Sequence, residues 1–365
     1  LMLGGLGVLT VLLLLAQTVS SGVSPPVFYT NGSTPYEAGL QHGSQAASLI
    51  QGWFAAEEMQ SVISFVQDGL GRSALEALKR DNSVEFPDYA EELRGIADGA
   101  RVDLDQVWVS NLLEELESLM NRTRRDGHCS DIYAVSPDGG IIQGHNEDWS
   151  RAVMPFWYFV VQDSPVEQCA GLCYPGSVFG YSATWNAKGL YATQNLLFPV
   201  STRPYGLAAA FVQKRAVCKS NDLEDVVQAL AVRRWSDGAS LNVVDLKAQR
   251  MVNVEIYEDS ASVYHVERNY SHFNMFKQLC CDIDGPEPSS IHRQARVDAL
   301  PPTRSRADVL SRLSDTADPD YPIYRNITLT TLVLDGISGV LDVWVGCSAL
   351  GGSPLYSWNI SAWWA

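Results

Sequence analysis

Basic side chains are scarce in this chain. Lysine and arginine total 26 against 42 aspartates and glutamates, which leaves a formal charge of −16. That balance argues against nucleic acid and against anionic membrane surfaces as partners, since both require clustered cations. Histidine is scarcer still, at six residues. The cysteines also lack a zinc pattern, because Cys169/Cys173 and the adjacent Cys280-Cys281 have no matching histidines. No metal and no cofactor are therefore expected. Repeats, low-complexity tracts and charge runs are absent too. With 46% hydrophobic residues the chain can bury a large core, and one globular domain is expected.

The longest apolar stretch, Leu1 to Ala16, is interrupted only by Thr10 and followed by small and polar residues. It is short for a membrane span of about 20 residues. An apolar core with a small-residue tail instead predicts a secretory signal over residues 1–21, and no stable membrane association. Five Asn-X-Ser/Thr sequons, at Asn31, Asn121, Asn269, Asn326 and Asn359, fit a secreted or lysosomal location. Disulfides are permitted there. If Cys129 stays free, six cysteines remain (Cys169, Cys173, Cys218, Cys280, Cys281 and Cys347), enough for up to three bridges of unknown connectivity.

Residues 35–120 read as helical. Apolar spacing predicts an amphipathic run from Tyr36 to Phe54, then helices over Ala74–Lys79, Pro87–Ala97 and Leu104–Met120. A polar, basic segment follows at Asn121 to Gly127. Beyond Cys129 the texture changes to short β-branched and aromatic runs. These predict strands over Phe156–Gln162, Gly189–Gln194, Ser240–Asp245, Val252–Tyr257, Ser262–Val266, Thr328–Leu334 and Val340–Val345. Helices are expected at Gly206–Cys218, Leu223–Arg234 and Ser290–Leu300. A helical first third, then strands with paired helices, points to an α+β fold of layered sheets with helical faces.

Chemistry concentrates at Asp126-Gly127-His128-Cys129-Ser130-Asp131. Cys129 opens a predicted strand to Ser136. Pro137-Asp138-Gly139-Gly140 then turns the chain into a second strand, Ile141–Gly144, and the polar cluster His145-Asn146-Glu147-Asp148-Trp149 follows. Antiparallel pairing would bring Cys129 near Asp148, 19 residues on. A cysteine beside a carboxylate on a rigid hairpin suits amide cleavage, although a buried structural cysteine has the same composition.

Cys129 together with Gly144-His145-Asn146-Glu147-Asp148-Trp149 resembles the signature of the cysteine N-terminal-nucleophile (Ntn) hydrolases. The nearest branch is the acyl-coenzyme A:6-aminopenicillanic acid acyltransferase family (peptidase family C45), on the side of the β-alanyl-dopamine hydrolases. Glu92-Leu93-Arg94-Gly95-Ile96-Ala97-Asp98-Gly99-Ala100, Cys173-Tyr174-Pro175-Gly176, Trp185-Asn186-Ala187-Lys188-Gly189-Leu190 and Tyr270-Ser271-His272-Phe273-Asn274 also look alike, in the family's order.

That resemblance implies a four-layer αββα Ntn-hydrolase sandwich with a helical pro-segment over 22–128 and a catalytic segment over 129–365. It implies a cut between His128 and Cys129, after which the two fragments stay associated. One departure is His128, where the family often has glycine. The freed Cys129 α-amine, of pKa about 7.7–8.0, would serve as base. Asp148 would hold the nucleophile and its amine. Asn195 and Asn274 would donate to the oxyanion, each worth about 3 kcal/mol. Arg293 would lie beside the thiol and stabilise its thiolate. Turn or strand-end chemistry is the alternative for the asparagines, and a solvated helix face for Arg293 and Arg296. His145 stands where bile-salt hydrolases carry arginine, and is read as structural or substrate-side. The expected activity is hydrolysis of a small N-acyl amine or N-acyl amino acid, β-alanyl-amine-like, through a thioester. Acyl transfer by the same thioester, and an inactive secreted binding protein, are the alternatives.

Overall fold

The computed structural model describes residues 24–120, 129–136, 139–165, 167–231, 234–279, 287–345 and 352–363. The expected signal segment, the sequon at Asn121, His128, and Cys280, Cys281 and Cys347 lie outside them. After a short strand, β1 (Val27–Thr30), come seven helices: α1 (Pro35–Gln45), α2 (Ala47–Phe54), α3 (Glu57–Phe65), α4 (Gly69–Glu85), α5 (Pro87–Ala100), α6 (Leu104–Asn111) and α7 (Leu113–Leu119). Thr34 caps α1 through its hydroxyl, and proline sits in the first turn of α1 and of α5. The predicted run to Phe54 breaks at Ala46, and the one to Met120 breaks at Leu112.

The cysteine-bearing part then supplies β2 (Ser130–Val135), β3 (Ile141–Asp148), β4 (Tyr158–Asp163), β5 (Gln168–Cys173), β6 (Thr184–Asn186), β7 (Leu190–Leu197), α8 (Ala209–Cys218), α9 (Leu223–Leu230), β8 (Gly238–Asp245), β9 (Arg250–Tyr257), β10 (Ser260–His265), β11 (Tyr270–His272), α10 (Pro288–Asp298), α11 (Arg306–Leu313), β12 (Thr328–Asp335), β13 (Val340–Val345) and β14 (Tyr356–Asn359). They build an eight-stranded sheet, β1-β4-β5-β6-β7-β8-β9-β10, and a six-stranded sheet, β11-β2-β3-β12-β13-β14. Helices α8 and α9 pack on the larger sheet, and α10 and α11 on the smaller. Between the sheets, Trp358 of β14 packs on Phe159 of β4 and Trp185 of β6, with ring centroids 4.9 and 5.8 Å apart. The layers run helix, sheet, sheet, helix, the α+β sandwich expected of an Ntn hydrolase. Among the described residues no helix is long and apolar enough to cross a membrane.

The first third is built into this sandwich. β1 adds to the large sheet as the parallel neighbour of β4. Helix α5 crosses α1 at backbone contact: a Cβ on Gly95 would sit 2.1 Å from the Tyr36 carbonyl oxygen, and one on Gly39 would sit 2.0 Å from that of Glu92. Glu92 reaches Lys214 of α8, whose Nζ lies 2.6 and 2.8 Å from its two oxygens, with Glu167 3.4 Å away. Burial pulls Lys214 towards the neutral form, and the charges of Glu92 and Glu167 outweigh it. Nearby, Cys169 and Cys218 form a disulfide across 49 residues, worth about 4 kcal/mol by loop-closure entropy. Cys173 is buried and free, so it takes no part in the bridges its composition allowed.

Lys214→Met leaves the buried Glu92 carboxylate without its cation, while Glu167 keeps Lys219 at 3.1 Å. A denaturant melt is expected to show a loss of about 3–5 kcal/mol. An unchanged midpoint would mean that the ion pair does not join the helical third to the sheets.

Candidate active site

The site is set by the pairing of β2 with β3, in register Ser130↔Asn146, Asp131↔His145 and Ile132↔Gly144. The second strand does not end at Gly144 as expected. It runs on to Asp148, wholly buried, with β12 on its other edge. Polar residues tolerate that position because each has a buried partner. Continuing the register past Ser130 sets Cys129 opposite Glu147, not Asp148. Strand alternation then gives Cys129, Asp131, His145 and Glu147 one face, and Asn146 and Asp148 the other.

On the first face the Cys129 thiol lies 3.7 Å from Glu147 Oε1 as donor. His145 bridges two carboxylates, with Nδ1 2.8 Å from Asp131 Oδ2 and Nε2 3.0 Å from Glu147 Oε2. Tyr174 donates to Glu147 Oε1 at 2.5 Å. Asp131 also accepts from Thr193, Gln143 and Asn195 at 2.6, 3.1 and 2.9 Å. Burial disfavours the imidazolium, but Asp131 and the surrounding hydrogen bonds raise the His145 pKa well above its ordinary value. Asp131 is held low against burial, chiefly by His145. Burial, then the charge of Glu147, pushes the Cys129 thiol up to about 12, with His145 opposing. The donors of Cys129, His145 and Glu147 lie within 4.8 Å of one another, the one such group among the described residues. A doubly bonded imidazolium has no lone pair for a metal, so the trio is suited to handling protons.

Arg293, from α10, is 0% exposed and lies under the nucleophile, which overturns its solvated-face alternative. It donates to the Cys129 carbonyl at 2.6 Å, to Ser130 Oγ at 2.9 Å and to Asn274 Oδ1 at 2.9 Å. Its hold is on the main chain of Cys129. Burial and then Arg325 lower its pKa to about 9. Asn274 donates to the Leu196 carbonyl at 2.8 Å. Glu255 anchors the loop after it, accepting from His272 at 2.9 Å and from the backbone N–H groups of Lys277, Gln278 and Leu279. Asn195 closes a polar chain from Asp131 to Asn242 and Asn253. The Asn195 and Asn274 amide nitrogens thus each have one partner and carry a second hydrogen. Asp148 accepts from Thr328 at 2.6 Å, with Arg325 Nε at 3.3 Å, and burial raises its pKa.

A small hollow adjoins Tyr174, lined by Ser110, Leu113, Glu114, Trp149, Tyr174 and Tyr181. Gln194 donates to Glu114 at 3.2 Å.

The structure therefore brings Cys129, Asn195, Asn274 and Arg293 into one connected neighbourhood and puts Asp148 on the far face of β3. Asp131, Glu147, Tyr174 and Thr193 were not singled out by the sequence. For the first two a signal existed, because two-residue periodicity from Cys129 and from His145 selects them. Tyr174 fell inside the Cys173–Gly176 motif with no role assigned to it, and Thr193 carried no signal. Of the sequons, Asn31, Asn326 and Asn359 are exposed and Asn269 is half-buried.

Residues 135–346 match the family described as acyl-coenzyme A:6-aminopenicillanic acid acyl-transferase. The chain belongs to that family. The matched acyl-transferase region carries β3, Asn195, Asn274 and Arg293. The chain is 28% identical to the β-alanyl-dopamine/carcinine hydrolase of Drosophila melanogaster, over 87% of its own length and 90% of that protein's. It is 26% identical to the 40 kDa form of acyl-coenzyme A:6-aminopenicillanic-acid-acyltransferase from Emericella nidulans, over 50% of the chain and 51% of the relative. Among solved structures, the Caenorhabditis elegans ortholog of N-acylethanolamine-hydrolyzing acid amidase is similar at a TM-score of 0.44. It is 15% identical, and 57% of this chain and 93% of that one are covered.

The Glu255 carboxyl is held below its ordinary 4.5 by His272 and by backbone N–H groups, against burial. It therefore stabilises the fold above about pH 4.5 and loses that contribution as pH falls through its lowered value. Glu255→Gln is expected to cost about 3 kcal/mol at pH 7, with the gap in Tm to the parent closing as pH is lowered. A gap independent of pH would refute this account of the loop.

Proposed function

We propose that this member of the acyl-transferase family is a self-processing cysteine amidohydrolase of a small N-acyl amine or N-acyl amino acid. Cleavage before Cys129 frees its α-amine, which takes the thiol proton. The thiolate adds to the substrate carbonyl, the amine leaves, and water resolves the thioester. The observation that carries this reading is a buried thiol at the head of a strand, held through its own carbonyl by Arg293 and set against Glu147 and His145. Asn195 and Asn274 are the oxyanion donors in this scheme. The negative charge of the whole chain favours a cationic substrate, and a β-alanyl-amine fits the resemblance to the Drosophila hydrolase.

The Cys169–Cys218 disulfide and the exposed sequons support a secreted or lysosomal location. The bond to be cut joins 22–128 to 129–365, and the pairing of β1 with β4 and the Glu92–Lys214 ion pair hold the two pieces together without it. Acyl transfer is the second reading, since an amine in place of water resolves the same thioester. An assay offering both acceptors separates them by product.

Intact mass of the purified protein is expected to show a fragment beginning at Cys129. Cys129→Ala should leave a single chain with amidase activity reduced at least about 10³-fold. A single wild-type chain whose activity survives Cys129→Ala would remove the nucleophile assignment.

A further inference from the structure

An α-amine cannot start its own release. Before the cut, the nitrogen of Cys129 is an amide and has no lone pair for a proton, so the first step needs another acceptor. The resemblance offers Asp148, but its carboxylate faces Thr328 and Arg325. Asn195 and Asn274 are not bases. His145 has both ring nitrogens against carboxylates. Glu147 Oε1 remains, in contact with the thiol itself.

We propose that Glu147 is the catalytic base of self-cleavage, an assignment that rests on the processing step proposed above. Its Oε2 is fixed by His145, itself fixed by Asp131, and Tyr174 holds Oε1. The carboxylate is thus aimed at Sγ by hydrogen bonds on both sides. In the uncut chain the thiol is pushed up to about 12, so little thiolate stands ready at neutral pH and its proton must be taken as attack occurs.

The step balances within these groups. Sγ–H gives its proton to Glu147 as sulfur bonds to the carbonyl carbon of His128. The C–N bond then breaks, and the leaving nitrogen takes that proton to become the α-amine. Water adds to the resulting thioester and the C–S bond breaks, leaving a carboxylate on His128 and the thiol restored. No oxidant or cofactor enters. After the cut the amine takes over, so one thiol is served by two bases in succession.

The test is a time course of the fragment beginning at Cys129, followed by intact mass in the full chain, with and without hydroxylamine to trap the thioester. Glu147→Gln keeps the size of the side chain and is expected to slow the cut about 100-fold or more. It should also yield no hydroxamate on His128. Glu147→Asp, with its carboxylate drawn back from sulfur, should cut at an intermediate rate. A folded Gln variant that cuts at the parental rate overturns the proposal. An uncut Gln variant that still forms the hydroxamate does so too, since Glu147 would then act only after the thioester. Should the Gln variant misfold, Glu147→Asp decides, and parental cutting by a folded Asp variant overturns the proposal. A wild-type chain that is never cut removes the processing step itself, which is a separate result.

Discussion

Everything at the centre of this molecule depends on the register of one strand pair. The β2–β3 ladder decides which of two adjacent carboxylates meets the nucleophile, and a slip of a single residue would exchange them. Because both strands are buried, the polar residues between the sheets must satisfy one another. The ladder also sets Thr193 and Asn195 of β7 against Asp131 of β2, so the larger sheet is bonded to the nucleophile's strand by side chains as well as by packing. A slip would break those bonds together, which makes the correct register strongly preferred.

The site holds its charges in alternation. Asp131, His145 and Glu147 form a buried line of anion, cation and anion, crossed by hydroxyl and amide donors. Arg293 lies under the strand and grips the backbone carbonyl of Cys129, leaving the thiol itself to Glu147. Desolvation makes each of these ions costly alone, and pairing offsets the cost.

Much of the fold was legible in the sequence because its strands are rich in β-branched and aromatic residues. β4, β7, β8, β9, β10, β12 and β13 all lie where alternation and composition put them, with ends shifted by a few residues. β5 was missed because Gln168-Cys169-Ala170-Gly171-Leu172-Cys173 is made of small residues, needed where Gly171 meets Phe179. α3 and α11 were missed because they are short and only lightly buried. Of the residues expected at the site, Cys129, Asn195, Asn274 and Arg293 lie in one neighbourhood, whereas Glu147 and not Asp148 lies against the thiol. Counting residues around a hairpin gives proximity, but only the parity of the register gives the face. Tyr174, just after β5, and Thr193 of β7 reach the site through tertiary contacts, which no local pattern encodes.

The crossing of α1 and α5 bears on how relatives of this chain are found. Gly95 and Gly99 of the Glu92–Ala100 motif stand where another helix's backbone comes within reach of a missing Cβ. The motif is therefore a spacer, placed on the far side of the larger sheet from the thiol. A protein that had lost Cys129 would still need it in order to fold. Similarity over those nine residues thus reports that a chain has this shape, and whether it retains any chemistry has to be read from the hairpin.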